Sequence, residues 1–79
     1  MPETDAVRTL RDRLLELEVK AMSCTLQSRL RSWYQGQAYG WIDSAHYFHA
    51  ITLGTLGTLF DIVVSWTSNQ PRSLKEIWP

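Results

Sequence analysis

Residues 4–34 read TDAVRTLRDRLLELEVKAMSCTLQSRLRSWY, a run without glycine or proline. Good helix formers fill it. Thr4 suits an N-cap, and Asp5 in the first turn suits the helix dipole. Val7, Leu10, Leu14, Leu17, Ala21 and Cys24 recur at helical spacing. Leu15, Val19, Met22, Leu26, Leu30 and Trp33 form a second apolar stripe about 140° around the same helix. Between the stripes, Arg11, Glu18, Thr25 and Arg29 form a thin polar ridge. Asp12, Glu16, Lys20, Ser23, Gln27 and Arg31 form a broad polar face. The pattern predicts one helix over about 4–34, ended by Gln35-Gly36-Gln37 with Gly36 as C-cap.

A hairpin connection is then expected, and a second helix over about 43–68. Asp43 or Ser44 caps it, Ile42 and Tyr47 are placed as a hydrophobic staple, and Asn69 and Pro71 stop it. Gly54, Gly57 and several β-branched residues weaken that reading, and a β-hairpin turning near Gly54–Gly57 is the alternative. Helix is preferred because the run is long and lacks Asn-Gly or Asp-Gly. Ser73-Leu74-Lys75-Glu76 matches a capping box and predicts a short helix over about 74–78. The expected fold is all-α, in one small domain over 1–79. It is a long helical hairpin with a short C-terminal helix, completed as a dimeric bundle.

Eight Lys/Arg balance eight Asp/Glu in 79 residues. Zero net charge argues against a nucleic-acid binder, including one using Arg8, Arg11 and Arg13 around Asp12. It also argues against a polybasic membrane peptide. The single cysteine, Cys24, excludes an internal disulfide framework. The charged first twenty residues do not read as a secretory signal, so a cytoplasmic location is expected. The alternative is a small membrane-associated helical protein built around residues 50–66. Asp61 within that run, and a length short of the roughly 20 residues a span needs, weigh against it.

Chemistry-bearing motifs are sparse. His46 and His49 supply two ligands where zinc takes three or four. Cys24 lies on an apolar stripe and reads as a small hydrophobe. No phosphate loop, nucleophile–base arrangement or catalytic carboxylate pair stands out, so no enzymatic activity, cofactor or metal is expected. Six of the nine aromatics lie between Trp33 and Phe48, a stretch with no Lys or Arg. Tyr and Trp are enriched at interface hot spots. Tyr34, Tyr39, Trp41 and Asp61 are therefore the expected partner-binding residues. Tyr39 and Trp41 are expected in the hairpin connection, with Trp33 and Phe48 in the core. Asp61, an isolated carboxylate between Phe60 and Ile62, is expected to be solvated.

A helix with two stripes needs two neighbours. Leu15, Val19, Met22 and Leu26 are therefore the expected self-association seam of a homodimer. The function expected by exclusion is a non-enzymatic protein-binding module. It would inhibit or adapt a larger protein, as antitoxins and the anti-host factors of phages and mobile elements do.

Overall fold

The computed structural model describes residues 4–79, all helix, turn and coil with no strand among them. Helix α1 spans Asp5–Met22, α2 Arg29–Tyr47 and α3 Leu53–Val64. Two 3-10 turns follow, Ser65–Thr67 and Leu74–Glu76. The expected all-α class is borne out, with two long helices packed together and shorter helical pieces after them.

The chain turns at different places from those expected. The run over 4–34 breaks at residues 23–28. Ser23 Oγ donates to Val19 O at 2.8 Å, and Cys24 Sγ to Lys20 O at 3.4 Å. Ser28 then caps α2, its Oγ accepting from Leu30 N at 3.1 Å. Short hydroxyl side chains offer the backbone an alternative to helix, and three of them fall within this break. The expected connection around Gly36 lies instead inside α2. Asp43 is likewise an interior residue of α2 and not a cap. Two interior glycines cost about 1 kcal/mol each in helix propensity. The buried face of α2, centred on Ala38 and Ile42, compensates by packing into the core.

The expected second helix also divides. α2 ends at Tyr47, and His49 takes the left-handed conformation with φ 62°. Ala50 N donates back to Ala45 O at 2.8 Å, closing the helix as a C-terminal glycine normally would. Thr52 starts α3, its Oγ1 accepting from Thr55 N at 3.2 Å. Gly54 and Gly57 are helical, so the hairpin alternative does not form. Thr4 and Ser73 cap as expected, accepting from Val7 N and Lys75 N, both at 3.1 Å.

The three helices run antiparallel in sequence. Arg31 on α2 reaches the end of α1, and Gln35 and Tyr39 on α2 meet Val63 and Phe60 on α3. The first stripe of α1 is the core stripe: Leu10, Leu14, Leu17 and Ala21 are buried with Ile42, Leu59, Ile62, Val63, Trp66 and Leu74.

Among the described residues two charged side chains are buried, and backbone groups help to satisfy both. Glu18 accepts from Ser73 Oγ at 2.9 Å and from Leu74 N at 2.7 Å, fastening the C-terminal turn to α1. Arg31 donates through Nε to Trp66 O at 2.6 Å and through Nη1 to Cys24 O at 3.1 Å. One guanidinium thus serves carbonyls beyond the C-terminal ends of two helices, where a cation is favoured. Gln35 Nε2 adds a bond to Val63 O at 2.9 Å. By spacing alone Glu18 lies on the thin polar ridge and Arg31 on the broad polar face, and nothing local marks either for burial. Their partners lie 56 and 35 residues away, beyond the reach of any local periodicity.

Candidate functional surface

The aromatics around the end of α2 separate into two grooves and a ridge. The groove against α1 holds about 430 Å³, and Leu10, Trp41, Ala45, Phe48 and Ala50 form its apolar lining. Asp5 and Thr9 from α1 also line it. Phe48 is 75 % exposed and Trp41 is 37 % exposed. The guanidinium of Arg13 sits 5.3 Å from the Trp41 ring, within cation–π range, and also bonds Glu16 at 3.1 Å. Tyr47 meets Phe48 edge-to-face at 5.1 Å, and Leu53, the first residue of α3, is exposed.

The second groove, between α2 and α3, holds about 490 Å³ and is lined by Tyr39, Asp43, Phe60, Asp61 and Val64. Tyr39 and Phe60 pack edge-to-face at 5.2 Å. Burial raises the Tyr39 phenol above its ordinary pKa by disfavouring the charged form. Asp61 is exposed, as expected of a solvated carboxylate. Its field acts in a minor way on Arg72, whose head is held bidentately by Glu76 at 2.9 and 3.2 Å.

The four expected partner-binding residues therefore do not form one patch. Tyr39 and Asp61 share the α2–α3 groove, and Trp41 lines the α1–α2 groove. Tyr34 is half-buried beside Trp33, their rings 5.3 Å apart. Tyr39 and Trp41 stand on a helix and not in a loop, and Tyr39 is half-buried. Trp33 and Phe48, expected in the core, are largely exposed. Periodicity misplaced them because the helix phase restarts at Ser28, and Phe48 follows the last turn of α2.

The expected self-association seam is divided too. Leu15 packs at the core edge and lines a small groove together with Arg11 and with Ile77 and Trp78 of the C-terminal segment. Leu26 is half-buried in the break. Val19 is 66 % exposed, and Met22 is partly exposed with its sulfur 3.4 Å from Arg31 Nη2.

His46 is half-buried in the last turn of α2, whereas His49 lies beyond the helix end, so the two share no helical face. Among the described residues no group of three or more His, Cys, Asp or Glu is placed to hold a metal ion. No described helix is long and apolar enough to cross a membrane, and α3 covers only part of residues 50–66. Comparison with known proteins gives no family model, curated protein or solved structure that matches this chain significantly.

Proposed function

We propose that this chain is a non-enzymatic protein-binding module of the cytoplasm. It acts as an inhibitor or adaptor of a larger protein, in the manner of antitoxins and of phage or mobile-element anti-host factors. One observation supports the reading above others. Large apolar residues are exposed toward both ends of the bundle, Val19, Leu30, Trp33 and Val64 toward one and Tyr47, Phe48 and Leu53 toward the other, where Trp41 and Phe48 also line an apolar groove. Single exposed apolar residues are ordinary, but a concentration beside an apolar groove marks an interaction surface. Trp41, Tyr47 and Phe48 supply the stiff aromatic anchors that dominate binding energy at protein interfaces. Tyr39 and Asp61 add a second lip, where an apolar floor meets a carboxylate.

The test is affinity capture with the immobilised chain, comparing wild type with the double variant Trp41→Ala/Phe48→Ala. A protein retained by wild type and lost with the variant, at unchanged far-UV circular dichroism, supports the reading. Equal retention by both forms overturns the assignment of the surface. Homodimerisation is part of the same proposal and is read separately, by sedimentation at micromolar concentration.

A further inference from the structure

The solvent face of α2 is built unlike a solvent face. At 100° per residue, Arg29, Trp33, Gly36, Gly40, Asp43 and Tyr47 fall within about 80° of one another, opposite the buried Arg31, Ala38 and Ile42. All six are exposed. Such a strip is ordinarily filled with strong helix formers and charges. Here it carries two large aromatics, Trp33 at 56 % and Tyr47 at 76 % exposure. It also carries two glycines where an added Cβ would meet nothing within 4 Å. The glycines relieve no crowding within the chain, and they weaken the helix.

The charges on this face supply the independent observation. Among the described residues, Asp5, Asp12, Glu16 and Glu76 pair with bases, and Glu18 is held by Ser73 and Leu74. The side chains of Asp43 and Asp61 have neither a hydrogen bond nor an ion pair, and neither have those of Arg29 and Lys75; of these four, Arg29 and Asp43 stand on this strip of α2. Arg29 is the first residue of α2, where the helix dipole disfavours a cation. The two unpaired, opposite charges stand seven residues on either side of Gly36, about 10.5 Å along the axis each way.

We infer that this face docks on a second copy of the chain, α2 against α2, antiparallel about a two-fold axis at Gly36. In that register Arg29 of each copy meets Asp43 of the other. Trp33 comes within one residue, about 1.5 Å along the axis, of being level with Gly40 of the second copy, a large side chain beside a position without one. A two-fold contact demands such self-complementarity, with i meeting j and j meeting i. The inference rests on the homodimer in the proposed function and moves its seam from Val19 and Met22 to α2.

The experiment is sedimentation equilibrium of the full chain and its charge variants. Arg29→Asp alone or Asp43→Arg alone sets like charges opposite each other and should weaken dimerisation about tenfold or more. The double reversal Arg29→Asp/Asp43→Arg should restore affinity to within about threefold of wild type, since it rebuilds both pairs with their signs exchanged. Neither reversal opposes the helix dipole, so α2 should hold in every variant. Gly40→Leu fills the seat of Trp33, improves helix propensity, and should weaken association about tenfold with helicity intact. A chain that stays monomeric at every concentration overturns the homodimer and this inference with it. A dimer broken by Val19→Glu and Met22→Glu but indifferent to the α2 variants overturns this inference alone. Single reversals that weaken association without recovery in the double variant also overturn the register.

Discussion

The two ends of the helical bundle solve opposite problems. At one end, α1 stops, α2 starts and α3 runs into Trp66. There the exposed polar groups of the helix termini are taken up by Arg31, Gln35 and Ser28, and the C-terminal turn is fastened by Glu18. Trp66 and Leu74 are fully buried there. One buried donor, Trp66 Nε1, lacks a partner among the described residues. At the other end, α2 stops at a left-handed histidine and α3 begins at Thr52. Phe48, Tyr47 and Leu53 are left in solvent, and Phe48 lines an apolar groove. Long-range polar bonds organise the first end, while the second combines local caps with apolar packing of Ala45, Ile51 and Leu56 on the core.

The contrast is sharpest in mutation. Arg31→Met keeps an unbranched apolar stem but removes the donors to Trp66 O and Cys24 O. Leaving charge-assisted bonds unmade should cost about 1.5–3 kcal/mol in chemical denaturation. Phe48→Ala, at the open end, should change stability by less than about 0.5 kcal/mol, as exposed substitutions usually do. Comparable losses from the two variants would mean that the open end is as much a part of the folded unit as the closed one.

A smaller effect of opposite sign is expected at the open end itself. A residue with a Cβ pays about 1 kcal/mol or more in the left-handed region, and glycine does not. His49→Gly should therefore stabilise the protein by about 0.5–1 kcal/mol, read as a raised melting temperature. A loss instead would show that the imidazole makes a compensating contact.

The smallest effect is spectroscopic. The Tyr39 phenol, raised by burial in the α2–α3 groove, should ionise at higher pH than a free tyrosine when followed by ultraviolet absorbance. Its raised value contributes stability that is present below the ordinary tyrosine pKa and is lost as pH rises through the shifted one. Tyr39→Phe should abolish that late phase. A partner seated over Tyr39 and Asp61 should delay it further by excluding water.

Much of the architecture is legible in residue order alone. The Val7–Leu10–Leu14–Leu17–Ala21 spacing identifies a helix before any partner is known, because helical geometry is local, while which of its two apolar stripes is buried is decided by the packing. Thr4 and Ser73 declare their caps for the same reason: the donor lies two or three residues away. The all-α class follows from these together. The solvated state of Asp61 was legible as well, since its surroundings on the helix are small or polar.

Tertiary structure decided where the chain turns and which polar groups go inside. Gly36 and Gly40 look like breakers in order. They remain helical because Ala38 and Ile42, on the opposite side of the same turns, are buried in the core. Ser23 and Ser28 look like ordinary helix-surface residues, but become termini once α2 folds back on α1. Glu18 and Arg31 have the spacing of solvated residues and the positions of buried ones. No sequence window contains both a charge and the carbonyl or amide that satisfies it when the two are 35 or 56 residues apart. Periodicity reports how a segment faces its own axis. What stands across that axis, and so whether a charge is stranded or bonded, is settled only when the helices meet.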